Sequence, residues 1–154
     1  MRTRLTIILT FAAILSMAGV SFTNAADVLD IRGAWRPDTY LLKDGTRHTV
    51  TGFIFFTQKD WTVLFFVKDD TGPQRGSGEG GTYTLQGNRL VFTHLYNLSG
   101  GKEVKGIPAS PLSMAVREPA GAPTEACTID LNGDQLTIRF PSGNTMTFRR
   151  SSKF

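Results

Sequence analysis

What this chain has least of is cysteine, histidine and helical periodicity, and each scarcity excludes something. Cys127 is its only cysteine, so no internal disulfide staples the fold and a hydrophobic core alone must hold it. Cys127 alternates with Ile129 and Leu131, which makes it a small core residue rather than a nucleophile, since no histidine or cation lies near it in sequence. The two histidines, His48 and His94, have no companion at ligand spacing, which leaves no zinc site. There is no Gly-x-Ser-x-Gly elbow and no triad order. The acids are scattered, with no pair spaced to place two carboxylates over one bond. Excess charge of one sign is missing too. Seventeen Lys and Arg face thirteen Asp and Glu, a formal +4, which is too balanced to argue for nucleic acid.

No apolar run reaches the roughly 20 residues that cross a bilayer. The longest, Leu5 to Val20, has 16 residues, follows Arg2 and Arg4, and leads into the small-residue stretch Ser21-Phe22-Thr23-Asn24-Ala25-Ala26. That is the layout of a secretory signal cut after Ala25 or Ala26 rather than of an uncleaved anchor. The expectation is a leader at 1–25 and one domain at 26–154. Arg2 and Arg4 are not adjacent, so the twin-arginine pattern is absent, and no cysteine lies near the cut to take a lipid. Losing the leader removes two arginines and no acid, leaving 15 basic against 13 acidic residues. A soluble protein exported to the periplasm or beyond is the reading.

The remaining chain is patterned as strands. Its centre is Thr51 to Val67, where apolar runs Gly52–Phe56 and Trp61–Val67 flank Thr57-Gln58-Lys59-Asp60, a hairpin with a four-residue loop. That loop sets Phe56 opposite Trp61, Ile54 opposite Val63 and Gly52 opposite Phe65 on one face, with Phe55, Phe53 and Thr51 opposite Thr62, Leu64 and Phe66 on the other. Both faces are apolar, so both need cover. Before the hairpin, Ile31, Gly33 and Trp35 share a face, Pro37 forces a bend or sheet end, and Lys43-Asp44-Gly45-Thr46 makes a turn. After it, Asp69 to Gly81 has no apolar side chain and reads as a flexible surface loop. Gly76, Gly78 and Gly81 spell G-x-G-x-x-G there, but a strand rather than a helix follows, so it is no dinucleotide fingerprint.

A second hairpin follows over Thr82–Gln86 and Arg89–Tyr96, with Leu90, Phe92, His94 and Tyr96 expected on one face. Asn97 to Glu125 is irregular and proline-rich; only Leu112, Met114 and Val116 alternate in it, enough for a short strand or a flap. Order resumes in Ala126–Leu131, Leu136–Phe140 and Thr145–Arg150 around the Asn132-Gly133-Asp134 and Pro141-Ser142-Gly143-Asn144 turns. The expected fold is all-β, an antiparallel up-and-down barrel of about eight to ten strands, closed to remove its edges.

Gly33-Ala34-Trp35, Asp44-Gly45-Thr46, Gly81-Thr82-Tyr83-Thr84-Leu85 with Gly87-Asn88, Asn132-Gly133-Asp134-Gln135-Leu136 and Phe148-Arg149-Arg150 together resemble the bacterial lipocalin-like domains of the calycin superfamily. The resemblance implies that Gly33 and Trp35 open the first strand and that Trp35 packs under an arginine of the last strand, Arg150 or Arg149, closing one end of the barrel through a cation–π contact of about 1–2 kcal/mol.

Candidate binding residues follow from inward parity. Phe56, Trp61, Phe65, Tyr83, Phe92, His94, Tyr96 and Phe140 line a cup for a small hydrophobic ligand, or else fill it. His48 reads as a solvated loop histidine. His94 points inward, either as a core histidine bonded to a carbonyl or a tyrosine, or as a contact for a ligand or haem, or as an acid or base. The leading reading is a non-enzymatic small-molecule binder with no metal and no cofactor. The alternative is a periplasmic protein-interaction module or inhibitor with a filled barrel, presenting the 69–81 and 97–125 loops. An enzyme using His94 is a third. The outer row Phe53, Phe55, Leu64 and Phe66 calls for cover by a second copy or by the 97–125 segment folded back.

Overall fold

The computed structural model describes residues 29–151, so the expected leader at 1–25 lies outside the described residues. Nine strands follow one another: β1 (Gly33–Leu41), β2 (Arg47–Phe56), β3 (Asp60–Asp69), β4 (Gly72–Gln86), β5 (Arg89–Gly101), β6 (Ser110–Val116), β7 (Thr124–Asn132), β8 (Gln135–Arg139) and β9 (Thr145–Arg150). All pair antiparallel. Strands β1 to β5 form a meander, β5 continues to β7, β8 and β9, and β9 returns to β1. Eight strands thus close a barrel. The ninth, β6, lies outside the ring on the far half of β5, where Tyr96 pairs with Val116 and Leu98 with Met114.

The central hairpin has the register its loop length dictates, with Phe56 opposite Trp61, Ile54 opposite Val63 and Gly52 opposite Phe65. Its inner row joins a core of Trp35, Leu90, Leu136, Ile138 and Phe148, each at most 1% exposed. Trp35 and Arg150 pair directly across β1 and β9, and the Arg150 guanidinium carbon sits 4.1 Å from the indole centroid. Arg150 also donates to the carbonyls of Arg32 (2.8 Å) and Asp30 (3.2 Å), while the indole N–H donates to the Ile31 carbonyl at 2.7 Å. Arg149 instead faces outward toward Asp38. Cys127 is buried, and desolvation, with Glu125 nearby, pushes its thiol up to about 12, which leaves it protonated and inert.

Two expectations fail. Asp69 to Gly81 is no surface loop: from Gly72 onward it belongs to β4, the longest strand, paired on both sides by β3 and β5. Arg75, Ser77 and Glu79 alternate with Gly76, Gly78 and Gly80, placing polar groups opposite Val67, Phe65 and Val63 of β3 and bare backbone opposite Phe66, Leu64 and Thr62. The glycines make room for the outer side chains: a Cβ on Gly76 would lie 3.0 Å from the Phe66 ring. Pairing to two neighbours outweighs the weak strand propensity of glycine. The G-x-G-x-x-G therefore runs along a strand.

The second failure is the cover expected of the 97–125 segment: the short strand expected around Leu112, Met114 and Val116 does form, as β6, and the segment's first residues extend β5. It continues the outer sheet beside Phe53, Phe55, Leu64 and Phe66 instead of folding back over them. Phe53 and Phe55 pack edge-on with ring centroids 5.0 Å apart. Both are half-buried, whereas Leu64 is exposed.

Candidate functional site

The barrel is packed solid around Trp35 and leaves a cavity of about 80 Å³ further along, lined mainly by apolar side chains that include Trp61, Phe65, Phe92 and Phe140. Three titratable groups interrupt that wall, Glu79 from β4, His94 from β5 and Glu125 from β7. Strand alternation explains each position. Glu79 lies opposite Val63, which faces the interior, and Glu125 lies opposite Phe92, two residues before Cys127 on the inward row. His94 follows Phe92 on the same row.

The imidazole is held from both sides. Nδ1 lies 2.9 Å from a Glu79 carboxylate oxygen, and the Ser77 hydroxyl donates to the other Glu79 oxygen at 2.7 Å. On the opposite edge, Nε2 stands 3.7 Å from Glu125, too long for a hydrogen bond. The Trp61 indole meets the ring edge-on, centroids 5.2 Å apart. Glu125 and Glu79 together raise the His94 pKa to about 9, against burial, which works the other way. Burial alone would raise the Glu79 carboxyl, but hydrogen bonds from His94 and Ser77 outweigh it and hold that carboxyl below its usual value. At neutral pH this is an imidazolium between two carboxylates. Water reaches all three: the side chains of His94, Glu79 and Glu125 are 17%, 26% and 34% exposed.

Of the eight side chains expected to line the cup, Trp61, Phe65, Phe92, His94 and Phe140 do line the cavity. Phe56 and Tyr83 lie elsewhere, packed edge-on with each other, and the Tyr83 hydroxyl donates to the Thr57 carbonyl at 2.8 Å. Tyr96 is on the outside, 54% exposed. The reason is a β-bulge: Gly81 pairs with His94 but Gly80 pairs with Tyr96, so Leu95 is an extra residue and the alternation inverts after it. The His94 ring bonds to the Glu79 carboxylate, not to a carbonyl or a tyrosine. His48 is half-buried rather than solvated, its Nε2 2.9 Å from the Lys105 carbonyl oxygen.

Sequence reasoning missed both carboxylates. Glu79 was hidden by reading its glycine-rich strand as a loop, although the Ser77, Glu79 alternation carries the signal. Glu125 was hidden because β7 starts two residues earlier than its apolar run. Among the described residues no group of three His, Cys, Asp or Glu side chains is placed to hold a metal ion, the two carboxylates being turned on opposite edges of the ring.

No family model matches the sequence, and neither does any curated protein. Among known structures, the chain is similar to a lipocalin-like protein from Bacteroides uniformis, with 19% identity, a TM-score of 0.49, and 80% of this chain aligned to all of that one. An uncharacterized protein from Bacteroides eggerthii is similar at 16% identity and a TM-score of 0.47, over 79% of this chain and all of the other. A de novo designed fluorescence-activating β-barrel aligns at 15% identity and a TM-score of 0.40, over 78% of this chain and 93% of its own. Likenesses this distant concern the shape of the barrel, which the strand pairing above already establishes, and say nothing of what it holds.

Proposed function

We propose that this barrel is an exported, non-enzymatic binder of a small hydrophobic molecule, which it takes into the cavity beside His94. One observation carries the reading: a partly buried imidazolium, fixed by Glu79 and Ser77, interrupts an otherwise apolar cavity wall. Charged groups in such a place are costly, and apolar residues of similar size would pack there at least as well. Perturbed groups beside a cavity are where binding sites concentrate.

The geometry also selects the ligand. Nδ1 is committed to Glu79, whereas Nε2–H has only the 3.7 Å contact to Glu125 and so offers a donor to the cavity. A compact, mostly apolar molecule with one acceptor oxygen satisfies it, and about 80 Å³, roughly half the volume of a cavity that takes benzene, suits a short chain of a few carbons rather than a ring or a long lipid. Catalysis fits less well. With its pKa near 9 the imidazolium has no lone pair at neutral pH with which to take a proton. The interaction-module alternative loses most of the 69–81 loop, and Ser110–Val116 is a strand; residues 102–109 and 117–123 and the outer face remain to it.

Native mass spectrometry of protein from its own host, followed by titration of short-chain aldehydes and ketones against alkanes of matching length, tests the reading. A retained small molecule, or quenching of Trp61 fluorescence by the oxygenated set, is expected. Absence of both at millimolar ligand overturns it.

A further inference from the structure

Outside the barrel, the far half of β5 and all of β6 present an apolar face that nothing among the described residues covers. Tyr96 and Leu98 on β5 are 54% and 48% exposed; Leu112, Met114 and Val116 on β6 are 67%, 74% and 82% exposed. Pairing of Tyr96 with Val116 and of Leu98 with Met114 makes these side chains neighbours on one surface. The surface runs on across the bare backbone of Gly78 and Gly80 to Leu64 on β3. The bulge at Leu95 creates it, because without that extra residue Tyr96 and Leu98 would turn inward.

The same strand has a free edge. In the sheet order β6 is terminal, joined only to β5. Exposed edges are ordinarily protected by charge, by a bulge or by a covering segment. The sequence of β6, SPLSMAV, has no charged residue, and its one proline, Pro111, stands near its start and leaves Leu112 to Val116 able to pair.

We infer that this face joins two copies of the chain, packed one against the other about a two-fold axis that passes near Met114, so that the apolar rows of both copies are buried together. Three features favour a second copy over other occupants. A flat apolar face packed on its own copy about a two-fold axis is self-complementary, as an isologous contact requires. The six side chains Leu64, Tyr96, Leu98, Leu112, Met114 and Val116 expose together about 400–500 Å² of apolar surface. A standard interface buries about 800 Å² per partner, rather more than half of it apolar, so the face matches what one subunit of a stable dimer contributes. Lastly, β6 has no basic side chain with which to hold anionic headgroups, so a membrane surface fits it less well. The four-residue row Phe53, Phe55, Leu64 and Phe66 enters the interface only through Leu64. The inference is independent of what the cavity binds.

The test is sedimentation of the full chain, as its host processes it, from 1 to 100 µM, beside Met114→Glu/Val116→Glu. Wild type should sediment at twice the chain mass and the variant at once, its dimer dissociation constant raised at least 100-fold, with far-UV circular dichroism unchanged because both side chains are in water in the single subunit, and with a melting temperature that no longer rises with protein concentration as that of wild type should. Met114→Cys should form an intermolecular disulfide on mild oxidation, which buried Cys127 cannot do. A wild-type monomer at 100 µM would overturn the inference, including one that floats with phosphatidylglycerol vesicles. So would a variant that stays dimeric, or a dimer in which Met114→Cys fails to cross-link.

Discussion

Replacing Glu79 with glutamine removes one carboxylate from His94 while keeping the size of the side chain and an oxygen for the Ser77 hydroxyl. The His94 pKa rises from 6.5 to about 9 in the folded protein, and each unit is worth about 1.4 kcal/mol. Two carboxylates share that effect and water reaches all three groups, so the portion lost with Glu79 is about 1–2 kcal/mol. The sign follows from linkage. A raised histidine pKa gives stability that is complete below pH 6.5 and is lost as pH climbs through about 9. Glu79, whose pKa is lowered from 4.5, gives stability present above that value and lost as pH falls through its depressed folded one. Wild type should therefore be most stable between about pH 4.5 and 6.5 as far as this pair is concerned, and should lose stability progressively from there towards pH 9. Glu79→Gln should melt about 3–8 °C lower at pH 7. At pH 10 the gap should close, because the imidazole is then neutral in both proteins and the variant no longer buries a carboxylate. Thermal melts at the two pH values, with the His94 ring titrated by NMR, decide the matter. An equal loss at both pH values, or a wild-type His94 that titrates near 6.5, would refute the ion pair.

At the closed end of the barrel, Arg150→Ala should cost about 2–4 kcal/mol, since it removes the cation from the Trp35 face together with charge-assisted bonds to the Arg32 and Asp30 carbonyls; chemical denaturation followed by tryptophan fluorescence measures it, and a loss under 0.5 kcal/mol counts against the closure. Gly52→Ala should be worse placed still, because its φ of +133° is hostile to a side chain and a Cβ would collide with the Leu64 carbonyl oxygen; about 3 kcal/mol or more should go, and a soluble variant melting within 3 °C of wild type would contradict this.

Much of the barrel was legible because strand alternation and turn residues are local signals. The Thr57-Gln58-Lys59-Asp60 loop set the hairpin register residue by residue, whereas the pairing of Trp35 with an arginine of the last strand came only from the resemblance of the motifs, which left Arg149 and Arg150 both open until the strands were seen to meet. The candidate site was half legible. Phe92 and His94 followed from parity, whereas Glu79 and Glu125 are 46 residues apart and flank the same imidazole only because β4 and β7 each pair with β5. The misplacement of Tyr96 has one physical source, a single bulged residue that inverts every side chain after it.

From the sequence alone came whatever depends on a few adjacent residues: β-structure throughout, the hairpin turns, a thiol among core residues, and an inward-pointing His94. Tertiary structure alone decided that a stretch rich in glycine is a strand, since hydrogen bonds to two flanking strands hold it where its own side chains would not. It also decided that an imidazole lies between two acids and that β6 is left with an unpaired edge. Which strands become neighbours is settled when the sheet closes, and short-range patterning has no access to that.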